Sequence, residues 1–200
     1  MLREAAPSLH LASADGLSAS TLADAGITHV VNVTVDMPFP AGAAFAEWRV
    51  PIANDIGTPL HEHLEGAAAF IDAGLGSGGR VCAFCTDGTS AAPAVIAFYL
   101  MRHRKLSLAD ALAAVATGLP SAQPNVGFWQ RLVEAESWLH GCETPSVTLQ
   151  EYKWQFLQRD DLQPTAGKSR ADIMQQLELG QAEVAALLEV AEAQAARVNR

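Results

Sequence analysis

The sequence predicts an α/β fold in which helices flank a central mixed, mostly parallel sheet, followed by a C-terminal helical extension. Short apolar runs at residues 28–34, 46–52 and 80–85 indicate strands, and helical patterns lie between and after them. Strands that alternate with helices form parallel or mixed sheets that the helices cover. The extension is predicted by the stretch after Ser169, which contains no Pro and only Gly180 as an interior breaker.

Each predicted strand has its own local signal. Residues 28–34, THVVNVT, are rich in β-branched side chains and follow the turn-like pair Ala25-Gly26. Residues 46–52, AEWRVPI, alternate between the two faces of a strand. Residues 80–85, RVCAFC, follow a Gly-rich turn and are mostly apolar, which is typical of a buried strand.

Five helices are predicted in the same region. Residues 90–104 are apolar nearly all round, so we expect this helix to be buried. Ser107 and Asn125 are typical N-cap residues at the starts of two further helices. Trp129 and Trp138 lie on the last of these helices, and we expect both in the core. The predicted helices are residues 18–25, 60–75, 90–104, 107–117 and 125–139.

Composition and charge limit the function classes. A net charge of −9 argues against binding to nucleic acid or to an anionic membrane surface. No apolar stretch is long enough to span a bilayer, and the first residues lack the pattern of a secretory signal. The three Cys residues fit a reducing compartment, so we expect a cytoplasmic protein. We expect no cofactor and no metal, since His61 and His63 do not share a helical face.

The chain is expected to divide into three parts. Residues 1–142 would form the α/β domain. Residues 143–168 would form a linker, which begins with turn-forming residues and contains a short aromatic helix. Residues 169–200 would form an amphipathic helix with a heptad-like apolar seam.

The segment beyond the domain is the predicted partner-binding region. Leu177, Val184 and Leu188 are the anchors of the apolar seam, and Trp154 and Phe156 form an apolar patch in the linker. The seam would be covered either by another protein or by the chain's own domain, and the residues favour neither alternative.

The stretch RVCAFCTDGTSAAPAVIAFYLMRH at residues 80–103 carries the chemistry. A strand enters a short Gly/Ser/Thr loop and leaves as an apolar helix, so backbone N–H groups of the loop and helix converge on one point. A Cys at the start of such a loop is favoured as a thiolate and can attack a phosphate monoester. The phosphate also needs a bidentate Arg and a carboxylic acid that protonates the leaving oxygen. This loop contains neither Arg nor Lys, and it carries Asp87.

The chain resembles the small atypical dual-specificity protein phosphatases, which are cysteine-based and tyrosine-phosphatase-like, with the signature His-Cys-x-x-Gly-x-Ser-Arg. SLHLASADGLSASTLADAGITHVVNVT is similar to the family's opening strands and the turn into the sheet. AFYLMRHRKLSLADALAAV is similar to the helix after the loop, and SAQPNVGFWQRLVEAE to the closing helix. The resemblance covers about residues 8–139 and implies a dual-specificity phosphatase-like fold.

The resemblance also implies a set of site residues. The nucleophile position is Cys85, the general-acid position is Asp55, and the hydroxyl that steadies the thiolate is that of Ser90. The position of the phosphate-gripping Arg is Ala91. The implied phosphate loop consists of Cys85, Thr86, Asp87, Gly88, Thr89, Ser90 and Ala91.

Four positions depart from the family pattern. Phe84 stands in place of His, Ala91 in place of Arg and Ala92 in place of Ser, and Asp87 places a carboxylate beside a site for a dianion. Like charges at ~4 Å cost roughly 1–4 kcal/mol in partly wet surroundings. Loss of a transition-state cation costs on the order of 10³-fold or more in rate. We also expect Asp87 to raise the pKa of Cys85.

These departures predict a catalytically inactive homologue that acts as a protein-binding or structural module, docked on a larger assembly such as a cytoskeletal or ciliary one. The alternative is a weakly active phosphatase that hydrolyses phosphomonoesters through Cys85. A third hypothesis is a substrate trap that binds phosphoproteins without turnover. The basic run Arg102 to Lys105 lies about 15–20 Å along the helix, at 1.5 Å per residue, and is too far to replace the missing Arg.

The pair Cys82 and Cys85 also forms a C-x-x-C sequence, which occurs in redox sites and zinc sites. A redox motif needs both sulfur atoms at the start of the helix, whereas Cys82 falls inside the predicted strand. No second Cys/His pair accompanies the motif, so a zinc site is disfavoured.

Overall fold

The computed structural model describes residues 2–42 and 44–148. Five strands form one sheet in the order β1-β2-β5-β3-β4. β1 is antiparallel to β2, and every other neighbouring pair is parallel, so the predicted mixed, mostly parallel sheet is confirmed. The strands are β1 Arg3–Ala6, β2 Leu9–Ser13, β3 His29–Asn32, β4 Ala46–Arg49 and β5 Val81–Cys85.

The helices follow the predicted order. They are α1 Ala19–Asp24, α2 His61–Gly76, α3 Ala91–Arg104, α4 Leu108–Gly118 and α5 Val126–His140. The side chains of Ser107 and Asn125 cap α4 and α5 as predicted, since they accept hydrogen bonds from the third residue of each helix. These caps satisfy N–H groups that the helix itself leaves without partners.

Residue patterns alone missed the hairpin of β1 and β2, which only the family resemblance implied. β1 is four residues long and begins with two exposed charged residues, so it offers no periodic apolar signal. Ser8, in the turn, has a φ of 61°, a left-handed conformation that residues other than Gly adopt infrequently.

The core lies on both faces of the sheet, and β5 contributes to each. Val81, Ala83 and Cys85 point into the larger cluster, which helices α2 to α5 cover. Cys82 and Phe84 point into a smaller cluster with Leu22 of α1, since successive side chains of a strand face opposite ways. The predicted burial of the central helix is confirmed, because every residue of α3 from Ala91 to Met101 is buried.

The two Trp residues of α5 differ in burial. Trp129 is buried as expected, but Trp138 is 59% exposed, so its assignment to the core is wrong. Nine positions separate the two residues, and at 3.6 residues per turn this spacing places them on opposite faces of the helix.

The chain after α5 is bonded to the domain. The buried carboxylate of Glu136 accepts hydrogen bonds from the backbone N–H and the hydroxyl of Ser146, at 2.7 and 2.6 Å, and from the N–H of Leu108 at 2.6 Å. The first residues of the predicted linker therefore pack beside the start of α4. Across residues 2–42 and 44–148, no helix is long and apolar enough to cross a membrane.

Candidate functional site

The loop between β5 and α3 lies at the carboxyl end of the central strand. β5 ends at Cys85 and α3 begins at Ala91. Gly88, inside the loop, has a φ of +79°, and a Cβ there would approach the backbone of Ala12 and Ser13 to within 2.9–3.0 Å. Only Gly fits this position, because both the conformation and the close backbone contact exclude a side chain. The loop thus retains the tight path expected of a phosphate cradle.

Cys85 is buried at the base of this loop, with 4% of its surface exposed. Burial is the largest influence on the thiol and raises its pKa. The Asp87 carboxylate raises this pKa further, in the direction expected from the sequence. Three backbone N–H groups act in the opposite direction and lower it, those of Ala92, Ser90 and Gly88. These N–H groups favour the thiolate, but burial and Asp87 outweigh them, so the thiol form is favoured.

Asp87 turns its carboxylate toward the loop. Its Oδ1 accepts a hydrogen bond from the backbone N–H of Thr89 at 2.9 Å and lies 3.8 Å from Sγ of Cys85, which donates to it. A carboxylate therefore holds one of the loop amides and contacts the nucleophile position.

Ser90 directs its hydroxyl away from Cys85. It donates to Oδ1 of Asn54 at 2.7 Å and accepts a hydrogen bond from the backbone N–H of Asn125 at 2.9 Å. The side-chain amide of Asn125 also donates to Oδ1 of Asn54, at 2.9 Å. The one hydroxyl proton of Ser90 is committed to Asn54, so it does not stabilise a Cys85 thiolate in this arrangement.

The sequence interpretation missed Asn54. It directly precedes Asp55, and a polar side chain at the carboxyl edge of a parallel sheet is the kind of signal that could have identified it. Asp55 itself is exposed, and its Oδ1 accepts a hydrogen bond from the N–H of Gly57 at 2.9 Å. Asp55 does not line the pocket described below, whereas Asn54 does.

A small pocket of about 130 Å³ opens above Cys85. Its walls include Ala91, Thr86 and the apolar side chains of Val33 and Ile52. The charged side chains among its described lining residues are Asp36 and Asp87, and both are acidic. No Arg or Lys from the described part of the chain lines this pocket, so it has the opposite charge from a phosphate site.

The basic residues at the far end of α3 have other partners. Nε of Arg102 lies 3.1 Å from a carboxylate oxygen of Glu65, and Nδ1 of His103 lies 3.3 Å from a carboxylate oxygen of Asp72. The guanidinium of Arg104 stacks over the ring of Tyr99. These contacts agree with the expectation that the basic run does not replace the missing Arg.

Cys82 does not form a site with Cys85. The two side chains point to opposite faces of β5, and burial raises the pKa of Cys82 to about 12. Within the described ranges, no group of three or more His, Cys, Asp or Glu side chains is arranged to hold a metal ion.

The predicted partner-binding residues lie outside the described residues. They are Trp154, Phe156, Leu177, Val184 and Leu188.

A Cys at the end of a buried parallel strand, a glycine-containing loop and a buried helix together define the fold of a cysteine-based phosphatase. Residues 9–138 match the family described as "Dual specificity phosphatase, catalytic domain". The chain belongs to the dual specificity phosphatase family.

Several known proteins are similar to this chain. It is 42% identical over 151 residues to human "Dual specificity phosphatase 28", covering 72% of this chain and 85% of that protein. The crystal structure of human DUSP28 matches with a TM-score of 0.67 and 41% identity, covering 70% of this chain and 95% of that one. The crystal structure of a human "tyrosine phosphatase-like serine/threonine/tyrosine-interacting protein" matches with a TM-score of 0.63 and 25% identity, covering 68% of this chain and 96% of that one.

Proposed function

We propose that this chain is a catalytically inactive dual-specificity phosphatase homologue that acts as a protein-binding or structural module. The observation that carries the proposal is Ala91, which stands where the family grips phosphate with Arg, in a pocket whose described charged residues are Asp36 and Asp87. Loss of a transition-state cation costs on the order of 10³-fold or more in rate. A carboxylate beside the site repels the dianion and adds to this loss.

Two further features support inactivity. The Cys85 thiol is favoured over the thiolate that attacks phosphorus, since burial and Asp87 both raise its pKa. Phe84, at the position of the family's His, is buried and packs edge to face on Phe39, with ring centroids 6.4 Å apart. A side chain that could orient the nucleophile is thereby replaced by one that fills the core.

The test is hydrolysis of para-nitrophenyl phosphate by the full chain between pH 5 and pH 8. We expect the rate of the wild-type protein to equal that of the Cys85→Ser variant and of the blank. Turnover that Cys85→Ser abolishes would contradict the proposal and favour the alternative, a weakly active phosphatase. That alternative draws on Cys85, Gly88, Ser90 and Asp55, which keep the family's residue types.

The module would act on other proteins through the segment after the domain. The similar human structure whose name includes "interacting protein" supports an interaction role for this fold. We expect Leu177→Asp, Val184→Asp and Leu188→Asp together to abolish binding to an identified partner protein without changing the melting temperature of the domain. A large fall in that temperature would indicate that the chain's own domain covers the seam. Docking on a cytoskeletal or ciliary assembly stays a prediction.

A further inference from the structure

The carboxylate of Asp87 makes two contacts inside the loop through a single oxygen. Oδ1 accepts the N–H of Thr89 at 2.9 Å and lies 3.8 Å from Sγ of Cys85. Thr89 belongs to the loop whose backbone N–H groups would bind a phosphate oxygen. One oxygen of the chain itself therefore contacts both the amide that would hold an oxyanion and the sulfur that would attack it.

The rest of the loop keeps the shape of an anion cradle. Gly88 holds the left-handed conformation, and the N–H groups of Gly88, Ser90 and Ala92 are directed at Cys85. The backbone carbonyl of Thr89 accepts the N–H of Gln123 at 2.6 Å, which ties the loop to the segment before α5. Converging N–H groups favour an acceptor with negative charge. The loop has kept its donors although Arg is absent.

We propose that Asp87 is the anion that this loop now binds, an autoinhibitory contact in which its carboxylate takes the Thr89 N–H that an external oxyanion would use and contacts the sulfur atom of Cys85. The inference rests on the proposed function in that both concern a loop that has lost phosphate chemistry. It adds a second reason why the loop would not bind an external anion, separate from the missing Arg. Removal of the Asp87 carboxylate should expose the cradle even while Ala91 remains.

Asp36 provides a matched control. It lines the same pocket and carries the same charge, but its carboxylate makes no hydrogen bond or ion pair with any described residue. If the negative charge of the pocket alone excludes an external anion, then removal of either carboxylate should help an anion to bind, so Asp36→Ala should also produce a shift. If Asp87 is an internal ligand of the loop, only Asp87→Ala should free the loop N–H groups to bind an external anion.

The experiment measures the melting temperature of the full chain with and without sodium tungstate, a mimic of phosphate. We expect no shift for the wild-type protein or for Asp36→Ala. We expect Asp87→Ala to gain ~5 °C or more once tungstate is about 100 times its dissociation constant. A shift in the wild-type protein, a shift in Asp36→Ala, or no shift in Asp87→Ala would each overturn the inference.

A second measurement covers the case in which Asp87→Ala does not fold. Asp87→Asn keeps the shape of the side chain and removes its charge, so Cys85 should react several-fold faster with iodoacetamide at pH 8, as resolved by mass spectrometry. Asp36→Asn should leave that rate unchanged, and equal rates in the two Asn variants would overturn the inference. Turnover of para-nitrophenyl phosphate by the wild-type protein would instead overturn the proposed function. If the wild-type protein is inactive and tungstate does not raise the melting temperature of Asp87→Ala, the inference alone would be overturned.

Discussion

The hydroxyl of Ser90 donates a hydrogen bond to Oδ1 of Asn54 across 2.7 Å, although 36 positions separate the two residues in the chain. The same hydroxyl accepts the N–H of Asn125, the N-cap of α5. Three segments thus meet at one side chain: the loop after β5, the loop after β4 and the start of α5. In the family, the hydroxyl at this position stabilises the thiolate. In this chain the hydroxyl of Ser90 connects Asn54 and Asn125, which gives a structural reason for a Ser at this position although the Arg is absent.

Ser90→Ala is therefore expected to destabilise the domain. The substitution removes the hydroxyl of buried Ser90 and leaves the part-buried N–H of Asn125 without this partner, and a buried group left without a partner costs about 1–3 kcal/mol. The free energy of unfolding, measured by urea titration, should fall by roughly that amount. Ser121→Ala, at an exposed site, is the matched control and should change it by less than about 0.5 kcal/mol. Equal effects of the two substitutions would show that the network does not stabilise the fold.

If the chain is inactive as proposed, catalysis should require at least two substitutions. Ala91→Arg alone should give little turnover, because Asp87 would pair with the new guanidinium and still occupy the Thr89 amide. Ala91→Arg combined with Asp87→Ala should hydrolyse para-nitrophenyl phosphate faster than the sum of the single variants, since residues that act as one unit are not additive. Addition of Phe84→His should lower the melting temperature, because Phe84 is buried in the smaller core cluster. Full activity from Ala91→Arg alone would contradict this expectation.

The two buried thiols predict a loss of stability at alkaline pH. Burial raises the folded-state pKa of both Cys82, to about 12, and Cys85. A raised folded pKa means that the folded state holds its proton longer than the unfolded state, whose thiols titrate near 8.5. The stabilisation is complete below pH ~8 and declines as pH rises from there to about 12. Melting temperatures of the wild-type protein should fall across this range more steeply than those of Cys82→Ala, and parallel curves would contradict the assignment.

What the sequence could predict depended on how local each signal is. Ser107 and Asn125 were recognisable as helix caps because a cap bonds to residues two or three positions away. The burial of α3 followed from its own apolar composition. The role of Asn54 depends on Ser90, 36 positions away, and no periodic pattern in the sequence predicts a contact between them. The assignment of Trp138 to the core considered its hydrophobicity without its spacing of nine residues from Trp129, which places the two side chains on opposite faces of α5.

The hydrogen bonds between Glu136 and Ser146 determine where the chain can be truncated without a loss of domain stability. The sequence predicted a boundary after residue 142, and a protein truncated after Cys142 should remain cooperative because it retains every strand and helix of residues 2–42 and 44–148. It would nevertheless lose both donors that Ser146 gives to the buried Glu136 carboxylate, as well as the acceptor for the N–H of Ala109.

We therefore expect truncation after Cys142 to cost about 1–3 kcal/mol relative to truncation after Thr148, which retains these bonds. Urea unfolding of the two truncated proteins measures the difference directly. Ser146→Ala in the longer protein is the matched test of the side chain, and it should reproduce part of the loss because it removes only the hydroxyl. Glu136→Gln should lower stability in the longer protein, since the neutral amide is a weaker acceptor for the two N–H groups it faces. Identical unfolding curves for the two truncated proteins would show that residues 143–148 contribute nothing to the domain.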